Sequence, residues 1–266
     1  MTALLEVQGV TVRFGGLTAL ADVSATIAEN EVVGVIGPNG AGKTTLFNVV
    51  CGFTRPDEGR LQWRDQPLRR IQPRQLAGLG ISRTLQGLGL FPHLTVLENV
   101  MVGATKEGRT GFWSAMFALP HVDAEELRLR DRALEVLSEL GVDDVADRLP
   151  GQLPYGVQKR VALARALVSE PELLLLDEPA SGLSGDEMRE LGELIRDLRN
   201  RMSILLVEHH MDLVMEVCDR IVVLDFGRRI ATGTPDEVRD DPQVLEAYLG
   251  EQVDVEHGEA GVDADD

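Results

Sequence analysis

Gly37-Pro38-Asn39-Gly40-Ala41-Gly42-Lys43-Thr44 follows the pattern G-x-x-x-x-G-K-[ST], which sets an ammonium and a hydroxyl at the end of a glycine-rich turn. Successive backbone N–H groups in such a turn point inward and bind phosphate oxygens. A helix beginning near Lys43 adds its positive dipole end. Lys43 is then the residue to reach the β- and γ-phosphates of a nucleotide. Thr44 is a Mg²⁺ ligand, and Thr45 lies beside it in the first helical turn. A second cluster is Leu173–Leu176 followed by Asp177 and Glu178. Four apolar residues make a buried strand, and two carboxylates emerge at its C-terminal end, where ligands sit in open α/β sheets. Asp177 is the candidate to hold Mg²⁺, and Glu178 to orient and polarise an attacking water.

The flanking segments supply the scaffold this chemistry needs. Glu31–Ile36 reads as a buried strand entering the turn, and Thr44–Cys51 as the helix leaving it. Leu4–Phe14 and Asp22–Ile27 read as strands, with Gly9 marking a bulge. Arg60–Trp63 is a further short strand, Pro73–Leu79 a short helix, and Gly80–Gln86 a strand that ends in a glycine-rich loop. Strand signals then stop. Thr95–Val102 is a capped helix, Lys106–Gly111 a polar loop, and Ala124–Leu140 an amphipathic helix with Leu127, Leu134, Leu137 and Leu140 on one face. After Pro154, helices (Val157–Val168, Gly185–Asn200, Met211–Val217) alternate with strands (Leu173–Asp177, Ser203–Glu208, Arg220–Asp225), and a hairpin turn falls near Gly227. That alternation predicts a parallel sheet covered by helices. Residues 251–266 are acidic and aperiodic, the composition of a disordered tail.

Composition narrows the function classes. Apolar residues make up 44% of the 266, enough for a packed core, yet no run is long enough to span a bilayer. The N-terminus lacks a secretory pattern, so the chain is expected on the cytoplasmic side, reaching a membrane only through partners. Cys51 and Cys218 sit in apolar periodic segments and read as core thiols. A net charge of −18 argues against nucleic-acid binding. Lys43, Lys106 and Lys159 are the only lysines, and an acidic, lysine-poor surface suits a salt-rich cytoplasm where repulsion is screened.

With both clusters in place, the chain resembles ABC-type ATPases over residues 4–250. The resemblance implies a P-loop NTPase (RecA-like) α/β core over 1–93 and 158–250, with an N-terminal antiparallel β subdomain and an inserted α-helical subdomain over 94–157. It implies that Phe14 stacks on adenine, that Gln86 senses Mg²⁺ and the attacking water, and that His209, rather than the adjacent His210, contacts the γ-phosphate. The catalytic set is then Glu178, His209, Lys43 and Gln86. Its ligands are ATP and Mg²⁺, the ion being held by Thr44, Gln86 and Asp177. Ser181–Ser184 falls at the loop that meets the second subunit in family dimers. The signature element departs from the common Leu-Ser-Gly-Gly-Gln: it reads Leu153-Pro154-Tyr155-Gly156-Val157, lacking the serine hydroxyl. Gly156 and the helix start remain, so backbone donors at Tyr155 and Gly156 can still meet a partner's nucleotide, in a composite site expected to be weakened or asymmetric. Ser184 likewise replaces a frequent aspartate.

Leu90–Val100, the segment Gly233–Val238 through Ala247–Gly250, and Tyr155 resemble the branched-chain amino-acid uptake group. The implied partners are a second ABC ATPase, permease subunits and, indirectly, an extracytoplasmic solute-binding protein. The departure at Pro154 and Tyr155 favours a different second ATPase, an identical one being the alternative. Urea or amide uptake, lipid or polysaccharide export, and a soluble ABC ATPase are the competing readings.

Overall fold

The computed structural model describes residues 2–68, 71–84, 87–104 and 120–248. Gln86, the Lys106–Gly111 loop and the acidic tail lie outside the described residues. The chain divides into two compact units, Met1–Gln72 with Leu205–Asp266, and Pro73–Ile204.

In the first unit β1 (Ala3–Phe14) and β2 (Leu17–Ala28) form a long antiparallel hairpin, joined at β1 by β4 (Glu58–Trp63) and then β5 (Gln66–Leu68). The Phe14–Leu17 pair closes the hairpin over Gly15 and Gly16, so β2 begins five residues before the expected Asp22. The early part of β2, Leu17 and Thr18, is exposed and carries no burial alternation, which is why its sequence did not read as strand. The bulge at Gly9 is present: register shifts between Val7 and Val10, Gly9 adopts φ +58°, and its N–H donates to Ser24 Oγ at 2.9 Å.

The same unit carries β3 (Val32–Ile36), α1 (Lys43–Val50), the last three residues of β8 (Ser203–Val207), β9 (Arg220–Asp225) and β10 (Arg228–Gly233), the strands lying in the order β10-β9-β3-β8. All five residues of β3 are buried, and it runs parallel to β9 with Ile36 opposite Val223. β9 and β10 turn over Phe226 and Gly227, both at positive φ (+42° and +75°), the geometry of a two-residue hairpin turn. Arg220 reaches Glu31 with Nε at 2.8 Å, and Glu31 also accepts the Ala28 N–H at 2.7 Å. This partly buried ion pair ties the entry to β3 to the start of β9.

In the second unit β6 (Ile81–Arg83) runs parallel to β7 (Leu173–Asp177), pairing Ile81 with Leu173 and Arg83 with Leu175. The expected Pro73–Leu79 helix is instead two 3₁₀ turns ending at Gly80, φ +75°. Pro73, Gly78 and Gly80 in eight residues leave too little helix former to propagate a ladder. The same unit carries α2 (Val96–Gly103), α3 (Pro120–Glu139), α4 (Tyr155–Leu167) and α5 (Gly185–Arg199). α2 starts with a capping box between Thr95 and Glu98, and buried Asn99 bonds the carbonyls of Phe91, Leu94 and Thr95. At Gly103 a Cβ would overlap the Arg165 carbonyl oxygen, so α2 and α4 approach through a bare backbone. The buried stripe of α3 is Ala133, Val136 and Leu137, continued by Leu140, whereas Leu127 is exposed. The helix extends past the surface it packs on, and leucine spacing alone did not show where that contact ends. Among the described residues, no helix is long and apolar enough to cross a membrane.

Candidate functional site

Glycine conformation builds the loop between β3 and α1. Gly37 and Gly42 adopt φ +147° and +102°. A Cβ on Gly37 would overlap the Leu224 carbonyl oxygen, and one on Gly42 would lie 2.7 Å from the Ala19 carbonyl oxygen. Neither position admits another residue without displacing backbone. Gly42 is the N-cap of α1, and no side chain caps that end, so the first amides of the helix keep their capacity for an anion. Lys43 Nζ curls over the loop and donates to the carbonyls of Gly37 at 2.6 Å and Pro38 at 2.8 Å. Its charge is thereby fixed over the loop mouth, with Asn39, Gly40 and Thr44 exposed, Ala41 buried and Thr45 half-buried.

The loop has a back wall that the motif did not reveal. Gly227 donates its N–H to the Ala41 carbonyl at 3.0 Å, and its own carbonyl accepts the Ala21 N–H at 2.8 Å. The β9–β10 turn therefore links the loop to β2. The glycine beside Phe226 signalled a turn, and nothing in the sequence linked that turn to Ala41. Phe14, at the end of β1, is 54% exposed and presents its ring to solvent.

Glu208 was also missed as a site residue. Its side chain is fully buried after β8, and Oε2 accepts the N–H of His209 at 2.7 Å and of His210 at 3.0 Å, with His210 Nδ1 at 2.9 Å. His209 Nδ1 lies 3.6 Å away, its side chain 53% exposed against 31% for His210. Ligand atoms from the three residues converge within 4.8 Å, a spacing that could hold a metal ion. Oε2, however, already takes two backbone N–H bonds, which fits a post that orients the two histidines. An acid between an apolar strand and two histidines was the available signal.

In the second unit Leu173–Leu176 are buried and Asp177 is 8% exposed. Thr84 and β7 bond reciprocally: the Thr84 N–H donates to the Leu175 carbonyl at 2.9 Å, and the Asp177 N–H donates to Thr84 Oγ1 at 3.4 Å. Glu178 is half-buried at φ +47°, a left-handed conformation for a residue that precedes a proline. Its carbonyl accepts from Ser181 N–H at 3.2 Å and from Lys159 Nζ at 3.4 Å, and Lys159 also donates to the Pro179 carbonyl at 2.7 Å. Tyr155, 46% exposed, opens α4 with no side-chain cap and lies under the Lys159 ammonium, 5.4 Å from the ring centroid. A Cβ on Gly156 would overlap Glu187 Oε1. Ser184 caps α5 in a box with Glu187. The Ser184 backbone N–H, then its hydroxyl, hold the Glu187 carboxyl below its usual range. A cleft of about 360 Å³ opens beside Asp177, Glu178, Tyr155 and Lys159.

A buried parallel strand opening into a glycine loop and an uncapped helix, with a lysine over the loop, defines a phosphate-loop nucleotide-binding protein of the α/β class. The chain belongs to the ABC transporter family: it matches the family described as "ABC transporter" over residues 20–181, and is one of its ATPases. Residues 228–254 match the family "Branched-chain amino acid ATP-binding cassette transporter". The high-affinity branched-chain amino acid transport ATP-binding protein LivG of Salmonella typhimurium is 44% identical over 250 residues, 93% of this chain and 98% of that protein. BraF of Pseudomonas aeruginosa, with the same description, is 40% identical over the same coverage. A solved ATP-binding cassette of an ABC transporter in its ADP conformation superposes with a TM-score of 0.81 at 31% identity, covering 94% of this chain and 100% of that one.

Proposed function

We propose that this ATPase powers the uptake of branched-chain amino acids from the cytoplasmic face of a membrane. It would work with a second ATPase subunit, permease subunits and, through them, an extracytoplasmic solute-binding protein. The observation that carries the solute class is the C-terminal segment: residues 228–254 match a family described as "Branched-chain amino acid ATP-binding cassette transporter". The unlike signature at Pro154 and Tyr155 favours a second ATPase of different sequence. The 94–157 segment serves as the helical subdomain that faces the permease, between the core segments 1–93 and 158–250.

In this reading the loop amides and Lys43 hold the β- and γ-phosphates of ATP and neutralise charge as the terminal bond breaks. Thr44 Oγ, the Asp177 carboxylate and the Gln86 amide are hard oxygen donors, the kind Mg²⁺ takes, and Asp177 sits at a strand end where a cation would offset its burial. Held by these residues, the ion would supply positive charge that offsets the negative charge of the phosphates. Phe14 offers an exposed ring to adenine. Glu178 orients the attacking water, Gln86 senses it, and His209 meets the γ-phosphate. Tyr155 and Gly156 meet the partner's nucleotide. Loss of γ-phosphate contacts on hydrolysis removes the differential affinity that holds the closed dimer.

Reconstitution with the neighbouring permeases, second ATPase and binding protein in vesicles tests this. Magnesium-dependent ATPase activity stimulated by leucine, isoleucine or valine is expected. Stimulation by urea alone, or by none of these solutes, would overturn the assignment of solute.

A further inference from the structure

The conformation of Glu178 has to be held in place by its surroundings. A non-glycine residue in the left-handed region is disfavoured because its Cβ crowds the following carbonyl oxygen. Pro179 narrows the choice further, because the ring Cδ of a proline pushes the preceding residue toward extended backbone. Glu178 nevertheless sits at φ +47°. Two donors oppose relaxation. Ser181 N–H closes a local turn onto the Glu178 carbonyl at 3.2 Å. Lys159 Nζ, from α4, bonds the same carbonyl at 3.4 Å and the next one at 2.7 Å. The bond to Pro179, at 2.7 Å, has the length of a charge-assisted bond, roughly twice the strength of a neutral one, and the longer contact to Glu178 is weaker.

Lys159 is itself fixed to the start of α4. It lies one helical turn after Tyr155, where the two side chains are neighbours, and its ammonium lies over the Tyr155 ring. Tyr155 in turn abuts Gly182: a Cβ there would be 3.0 Å from Tyr155 Cε1, and Gly182 is at φ +75°. The Tyr155–Gly156 turn, Lys159 and the Glu178–Gly182 loop therefore form one contiguous packed path.

We infer that Lys159 is a positioning residue that sets the backbone of Glu178, and so couples the Tyr155–Gly156 turn to the hydrolytic carboxylate of the same chain. The inference rests on the assignment of Glu178 as the residue that orients water, and of the turn as the element facing the partner's nucleotide. A shift of the turn on engaging that nucleotide is passed by Lys159 to the carbonyls of Glu178 and Pro179. One subunit's signature turn thereby tunes hydrolysis at its own phosphate loop.

The test uses the assembled transporter with Lys159→Met, which keeps the aliphatic stem without donors, and Lys159→Arg, which restores them. Lys159→Met is expected to lower kcat about tenfold or more, as misplacement of an orienting group does, with the KM for ATP within about twofold of parent. Lys159→Arg is expected to recover most of kcat. Amide hydrogen exchange is expected to rise at residues 178–182 in Lys159→Met and to stay at parent values over 37–46. A Lys159→Met transporter with parental kcat, or one in which Lys159→Arg is equally impaired, would overturn the inference. If Lys159→Met fails to fold, Lys159→Leu, which also lacks donors, against Lys159→Arg gives the same comparison. A Glu178→Gln control that hydrolyses at the parent rate would instead remove the underlying assignment of Glu178.

Discussion

The Gly227 amide donates to the Ala41 carbonyl at 3.0 Å, so a hairpin turn distant in sequence sets the floor of the phosphate loop. Gly227 holds φ +75°, and a Cβ there would lie 2.7 Å from the Ala19 carbonyl oxygen, which is backbone and cannot swing aside. Gly227→Ala is expected to cost about 1–3 kcal/mol through left-handed strain and displacement of β2. It is also expected to weaken nucleotide binding, since the Ala41 carbonyl loses its fixed donor. Thermal unfolding and titration with a fluorescent ATP analogue read the two effects. A variant with parental melting temperature and affinity would show that the turn does not set the loop.

Two substitutions separate binding from hydrolysis. Lys43→Ala removes the charge held over the Gly37 and Pro38 carbonyls and is expected to abolish tight ATP binding. Glu178→Gln keeps the loop and the strand intact, so ATP binding is expected to persist while hydrolysis falls about 10²–10⁴-fold, the usual range for a lost proton acceptor. The variant is then expected to accumulate as an ATP-bound dimer in size exclusion. Hydrolysis by Glu178→Gln at the parent rate in the assembled transporter would remove Glu178 from the mechanism.

How far this was legible in the sequence follows from the range of each interaction. The phosphate loop, Asp177 and Glu178 follow from local constraints: a glycine where φ is positive, a lysine six residues on, and acids at an apolar strand end. The Gly9 bulge and the Phe226–Gly227 turn were readable for the same reason. Gly227 against Ala41, Lys159 against Pro179 and Asn99 against Phe91 join segments by their fold, and no periodicity encodes them. Leu127 shows the converse: helical spacing placed it with Leu137, yet only Leu137 has a surface to meet. Pro73–Leu79 reads as a short helix, and the glycines cut it into two turns.

Acid is expected to loosen the start of α5 through Glu187. Hydrogen bonds from the Ser184 N–H and hydroxyl hold its folded pKa below the unfolded value. The stability this contributes is therefore complete above the unfolded pKa and is lost as pH falls through the folded one. Glu98 and Glu237, in boxes with Thr95 and Thr234, shift in the same direction and add to the same acid limb. Melting temperature measured from pH 7 down to pH 3 is expected to fall less steeply in Glu187→Gln than in the parent. Parallel curves would show that the box carries no pH-dependent stability.

Cys218 is expected to resist alkylation in the native protein. Burial, and then the Asp219 charge, push its thiol up to about 12, so little thiolate exists at pH 8. Its sulfur also fills the space above Gly34, where a Cβ would come within 2.8 Å. Iodoacetamide followed by mass spectrometry is expected to label Cys218 only in denaturant. Rapid native labelling would mean that the α6 (Met211–Val217) end opens at neutral pH.

Glu208 distinguishes the two histidines, because its Oε2 hydrogen-bonds His210 Nδ1 at 2.9 Å while His209 Nδ1 stays at 3.6 Å. His210 is thus tied to Glu208, and His209 is the more exposed of the two, which fits the proposal that His209 meets the γ-phosphate. His209→Ala is expected to lower ATP hydrolysis about 10²-fold or more with little change in melting temperature. His210→Ala is expected to lower the melting temperature by a few degrees and hydrolysis by less than about tenfold. Glu208→Ala leaves two backbone N–H groups without their acceptor at a buried strand end, at a cost of about 2–3 kcal/mol, and is expected to impair both properties. If His210→Ala proves the more damaging to hydrolysis, the γ-phosphate contact belongs to His210, and the hydrogen bond to Glu208 must break when nucleotide binds.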